Sequence, residues 1–65
     1  MDIEAIHNLT DEQVRSELEG SFRELMNLRF RLSTRQMDRP QELKKVKKTI
    51  ARLKTVMRQR GMRES

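Results

Sequence analysis

The chain has no cysteine, no tryptophan and no tyrosine. Without cysteine there is neither a disulfide staple nor a thiolate zinc site. Phe22 and Phe30 are the only aromatics, too few to build a stacking platform for single-stranded bases. His7 is the only histidine. With no second histidine and no Ser–His–acid set, there is no basis for a metal site or for nucleophilic catalysis, and no cofactor or enzyme activity is expected. No apolar run approaches the length of a membrane span, and the start carries Asp2 and Glu4 instead of the basic n-region of a signal peptide. A cytoplasmic protein with no membrane partner and no small-molecule substrate is expected. Pro40 is the single proline, and Gly20 and Gly61 are the only glycines, so the chain has few breaking points.

A further absence is local. From Lys44 to Arg60 there is no acid. Within that stretch Leu43, Val46, Ile50, Leu53 and Met57 recur at three, four, three, four, the spacing of one seam on an α-helix. Lys44, Lys45, Lys47, Lys48, Arg52, Lys54, Arg58 and Arg60 fill the positions between. The net charge of +5 is therefore uneven. Residues 1–24 hold Asp2, Glu4, Asp11, Glu12, Glu17, Glu19 and Glu24 against Arg15 and Arg23. A basic block beside a near-neutral or acidic one implies a polyanionic partner on one side only.

Sixty-five residues make one small domain, 1–65. So short a chain is marginal alone, and a partner is expected to complete its stability. Ile3, Ala5 and Ile6 could form one helical turn or an ordered arm. Thr10 reads as an N-cap, with Gln13 completing a capping box and Leu9 and Val14 a hydrophobic staple. Asp11 and Glu12 suit the positive end of the helix that follows. That helix is predicted over about 11–33, with Val14, Leu18, Phe22, Leu25, Leu28 and Leu32 as its stripe and Met26 and Phe30 off the edge. Gly20 falls on the opposite face. Ser33 to Pro40 is the break, where Asp38 and Gln41 form a second capping box and Pro40 opens the next helix. The second helix is predicted over about 40–60, stopped by Gly61, with residues 61–65 frayed. No strand pattern and no repeat occur. Two helices of similar length on a short connection imply an all-α, antiparallel two-helix hairpin with a coiled-coil-like seam. Pairing of long helices between two chains fits less well, because the break is short and the seams match in length.

Projected at about 100° per residue, Lys44, Lys47, Lys48, Lys54 and Arg58 share one flank of the second helix, with Ala51 and Thr55 in its middle. Small residues ringed by cations let a polymer backbone approach closely while the long side chains hold its phosphates. A solvated charged face is the commoner fate of a charge run. Here, however, the missing acids deny the helix any i to i+4 ion pairs. Arg29 projects near the first stripe, where it could lay its stem along the seam or reach a phosphate. Met26 and Phe30 are candidates for protein contact. No helix-turn-helix or zinc-finger spacing supports base-specific reading.

At this point the residues resemble a known family. Lys44-Lys45-Val46-Lys47-Lys48-Thr49-Ile50-Ala51-Arg52-Leu53-Lys54-Thr55 resembles the signature of the large-subunit ribosomal protein family numbered twenty-nine in the bacterial scheme. Glu24-Leu25-Met26-Asn27-Leu28-Arg29-Phe30 resembles its first-helix motif, and Leu9-Thr10-Asp11-Glu12-Gln13 its usual helix start. The likeness covers nearly the whole chain. In the loop the family often has Gly-Gln and then Asn-Pro, where this chain has Arg35-Gln36 and Arg39-Pro40. The resemblance implies a helical hairpin in the large ribosomal subunit. Its rRNA contacts would lie beside the exit of the nascent-peptide tunnel. A neighbouring ribosomal protein numbered twenty-three, and trigger factor and the signal recognition particle nearby, are implied as well. The residues expected at the rRNA are Lys44, Lys47, Lys48, Ala51, Arg52, Lys54, Thr55, Arg58 and Arg29. Two other readings of the residues are a coiled-coil module whose basic helix binds an acidic protein and an amphipathic helix on anionic membranes. The first helix, with its own caps and matching seam, argues against the latter.

Overall fold

Thr10 begins the longest element. In the computed structural model, which describes residues 2–35 and 41–62, the Thr10 hydroxyl accepts from the Gln13 N–H at 3.1 Å and the Thr10 N–H donates to Gln13 Oε1 at 2.9 Å. The capping box satisfies two backbone donors at the helix start that no intrahelical bond can reach. Leu9 packs against the core that contains fully buried Val14, as a hydrophobic staple requires. The described residues hold three helices: α1 (Ile3–His7), α2 (Asp11–Ser33) and α3 (Gln41–Gln59). The all-α hairpin expected from the two seams is present, and the N-terminal turn is a short helix. The expected cap at Asp38, the expected start at Pro40 and the expected fraying of Arg63, Glu64 and Ser65 lie outside the described residues.

α2 and α3 run antiparallel. Arg60, just past the end of α3, reaches Asp11 at the start of α2, and Lys54 in α3 lies over Phe22 in α2. Their facing side chains make one apolar cluster: Val14, Leu18 and Leu28 from α2, and Val46, Ile50, Leu53, Val56 and Met57 from α3. Leu25 and Leu43 pack on its margin. α1 packs on α3 and adds fully buried Ile6.

Two expectations about the seams change. Phe22 does not lie in the α2 stripe; it is 39% exposed, and Ser21 is buried in its place. The stripe therefore runs through Val14, Leu18, Ser21, Leu25, Leu28 and Leu32, a strict alternation of four and three. A helix facing a single antiparallel neighbour presents a narrow seam of this kind, and a residue one position beyond it swings to the edge. Val56 is the second change. It lies outside the seam expected for α3, yet it is fully buried, because α3 packs against α1 as well as α2.

The helix ends explain the turns. Past α3 the Met62 N–H donates to the Met57 carbonyl at 2.8 Å and the Gly61 N–H to the Arg58 carbonyl at 3.1 Å. With Gly61 at φ 71°, this is a Schellman motif, and Met62 adds the apolar contact that usually accompanies one. Gly61 stops the helix as expected, but Gly61 and Met62 are held in place and not frayed. α2 ends differently. Arg35 occupies the left-handed region at φ 60°, and its N–H donates to the Leu32 carbonyl at 3.2 Å. Glycine is the residue for which that conformation carries no steric cost.

Two glycine exchanges follow in opposite directions. Gly20 sits in the interior of α2, and a methyl group placed on its α-carbon would meet nothing within 4 Å. Gly20→Ala is therefore expected to stabilise the protein by about 1 kcal/mol. Arg35→Gly is expected to stabilise it by a similar amount, about 1 kcal/mol, by relieving the left-handed backbone. Chemical denaturation of each variant reads both; a loss of stability in either overturns its assignment.

Candidate nucleic-acid interface

α3 is covered on two sides and bare on the third. The cover consists of the seam toward α2 and the Val56 side toward α1. The bare surface carries Lys44, Lys47, Lys48 and Arg58, all exposed, around exposed Ala51 and Thr55. Among the described residues no carboxylate pairs with any of these four cations. Their charges therefore add across one face instead of being cancelled locally. Thr55 donates its hydroxyl to the Ala51 carbonyl at 2.8 Å, so the low strip between the cations is a helix surface with its one polar side chain folded back onto the backbone.

Lys54 is an expected site residue whose charged end meets a ring inside the protein. It is half-buried, and its Nζ stands 5.4 Å from the centroid of the Phe22 ring. The ring face carries negative quadrupole density and attracts the ammonium. This contact gives Phe22 a use at the seam edge, which periodicity alone does not supply. It also fixes Lys54 at the border between the α2–α3 joint and the bare face.

Arg52 stands apart from the ring. Together with Asp2, Ile3 and Glu4 it lines a cleft between α1 and α3, and it is engaged within the fold. Arg29 is exposed on α2. Met26 and Phe30 are 71% and 62% exposed, and with Phe22 they form a ridge at four-residue spacing along α2. His7 is exposed, and no group of three or more potential metal ligands occurs among the described residues. No described helix is long and apolar enough to cross a membrane.

In the sequence Arg60 is one more cation of the acid-free stretch, and the structure gives it a larger part. The Arg60 guanidinium donates from Nη1 to Asp11 Oδ1 at 3.0 Å, and from Nη2 to the His7 carbonyl at 3.1 Å and the Ile6 carbonyl at 3.4 Å. It thus ties together the end of α3, the start of α2 and the C-terminal carbonyls of α1. These carbonyls lie at the negative end of α1, where the last turn of a helix leaves acceptors without intrahelical donors. No local pattern announces such a contact, since its partners lie about fifty residues away in sequence.

Fold and charge together define a small basic helical-hairpin protein whose second long helix presents an acid-free cationic face. A family model described as Ribosomal L29 protein matches residues 4–60. The chain is 44% identical over 64 residues to the large ribosomal subunit protein uL29 of Moorella thermoacetica, covering 98% of this chain and 96% of that one. It is 47% identical over 62 residues to the uL29 proteins of Finegoldia magna, with 95% and 91% covered, and of Dehalococcoides mccartyi, with 95% of each covered. No solved structure matches. The chain belongs to the ribosomal L29 protein family.

The Lys54–Phe22 contact is measurable. A double-mutant cycle of Lys54→Gln and Phe22→Leu is expected to give a coupling of about 0.5–1 kcal/mol by chemical denaturation. Strict additivity of the two substitutions would show that the ammonium and the ring do not interact in solution.

Proposed function

We propose that this chain is a structural, non-catalytic component of the large ribosomal subunit, and that it binds rRNA backbone through the bare face of α3. The observation that carries the reading is the acid-free face itself. Lys44, Lys47, Lys48 and Arg58 are exposed around Ala51 and Thr55, on a helix that two other helices hold rigid. Phosphates spaced along an RNA strand fit such a field, and the low strip lets the strand come close to the helix. Lys54 adds charge at the border of this face. Arg29 adds charge from α2, and Arg52 is a contact candidate on the opposite flank. Membership of the L29 family supplies the polyanion that charge alone leaves unnamed.

The same family likeness supports a cytoplasmic ribosome as the location, with the hairpin beside the exit of the peptide tunnel. It also supports ribosomal protein twenty-three as a neighbour, and trigger factor and the signal recognition particle as factors that dock nearby. Met26 and Phe30 are the residues best suited to a protein neighbour. They are large, apolar and exposed, and they stand on α2, where a partner could cover them without displacing RNA from α3.

The test is the salt dependence of binding to large-subunit rRNA. Replacing Lys44, Lys47 and Lys48 together by Gln is expected to make the slope of log affinity against log salt shallower by about 2–3, one released counterion for each lost phosphate contact. An unchanged slope removes these lysines from the interface. A complex with an acidic protein that survives nuclease treatment would favour the coiled-coil module instead.

A further inference from the structure

α1 lies along α3 in a definite register. Asp2, Ile3 and Glu4 share a cleft with Arg52. Ile6 is fully buried in the cluster that contains Val56. The carbonyls of Ile6 and His7 accept from Arg60. Arg52, Val56 and Arg60 are spaced four and four, so they form one ridge along α3 and its C-terminal end. α1 lies along that ridge: Asp2 and Glu4 stand beside the first arginine, which keeps an exposed side, the buried isoleucine shares a cluster with the valine, and the C-terminal carbonyls meet the second arginine. Asp11, just after α1, supplies a carboxylate to Arg60 as well. The groups that lie along the two arginines resemble those of a nucleic-acid backbone, with carboxylates sharing the cleft at one end and neutral carbonyl acceptors at the other.

We propose that α1 is a built-in cover that occupies the Arg52–Arg60 flank of α3 in place of a polyanion, and so confines nucleic acid to the Lys44–Arg58 face. A basic helix with cations all round would bind phosphates in any rotation about its own axis. With one flank masked by acids from the same chain, α3 accepts a strand from one side only, and the orientation of the hairpin on its RNA is set before contact. The inference rests on the reading of α3 as a polyanion-binding helix. In it Arg60 is a positioning residue for α1, and Arg52, a contact candidate by charge alone, is countered by the acids of α1 and takes no phosphate.

Heparin affinity chromatography of the full-length protein tests the cover separately from rRNA recognition, because heparin reports which cations are available to any polyanion. Four proteins are compared: wild type, Arg52→Gln, Asp2→Asn/Glu4→Gln, and the combination of all three changes. Circular dichroism checks that each retains its helices, and Lys48→Gln serves as the variant expected to elute at lower salt. Arg52→Gln is expected to elute with wild type. Asp2→Asn/Glu4→Gln is expected to elute at higher salt, and adding Arg52→Gln to it is expected to return most of that gain. If Arg52→Gln lowers the elution salt equally in both backgrounds, Arg52 is already available and the cover is refuted. A general effect of removing two negative charges gives the same equal shifts and refutes it likewise. Failure of the rRNA reading appears elsewhere, as an unchanged rRNA salt slope in the lysine variant. Hydrogen exchange gives an independent check. Arg60→Gln is expected to speed exchange in α1 at least tenfold over wild type while α2 and α3 stay protected, and unchanged α1 exchange overturns the positioning role of Arg60.

Discussion

Burial of α3 on two sides is the constraint on which the rest of the structure depends. Leu53 has no exposed surface, and it stands between the seam residues Ile50 and Met57 and the Val56 ridge. A helix with one neighbour would leave most of its circumference in water. Here α2 takes one side and α1 the next, so the third is fixed in direction and free of competing contacts. The charge pattern has meaning only because of that. The same lysines on an isolated helix would form a ring of charge with no preferred approach, and the helix would be marginal in water. Packing therefore turns a composition into a surface with an orientation.

The division of labour among cations follows. Lys44, Lys47, Lys48 and Arg58 project from the bare side and repel one another across it, a cost that a counter-charged polymer would remove. Lys54 is tempered by the Phe22 ring, and Arg60 is engaged by three oxygens of the fold itself. Charge counted along the sequence treats these side chains as equals. Their surroundings sort them into groups that hold the protein together and groups that remain available to a partner.

Where sequence and structure agree, the signal is local. The Thr10–Gln13 box, the Leu9–Val14 staple and the stop at Gly61 each involve residues within about one or two turns, so the chemistry that makes them can be read directly. The bounds of α2 are legible for the same reason. What is not legible depends on which helix lies opposite. A stripe through Phe22 and one through Ser21 both fit a helical period, and only the narrowness of an antiparallel joint chooses the second. Val56 is one step off the α2 seam, and its burial requires α1. The hint in the sequence is the run of Ile3, Ile6 and Leu9 at three-residue spacing, a small apolar face that needs something to lie on. The basic face of α3 is legible as charge, and helical projection places Arg52 on the other flank, whereas the cleft it shares with Asp2, Ile3 and Glu4 is not legible.

The clasp of α1 onto the end of α3 also orders events in time. A chain made from its N-terminus produces α1 first, and α2 can form and cap itself through Thr10 and Gln13 soon after. Yet α1 has nothing to rest on until Val56 exists, and the Arg60 guanidinium that braces its last carbonyls comes later still. The loop closed by Arg60 and Asp11 spans most of the protein, and its closure entropy is repaid only when the whole hairpin is assembled. The residues of α1, made before those of α2 and α3, are thus among the last to acquire their final contacts. In the finished protein the same contacts gather the end of α3, the start of α2 and the last carbonyls of α1 at the open end of the hairpin.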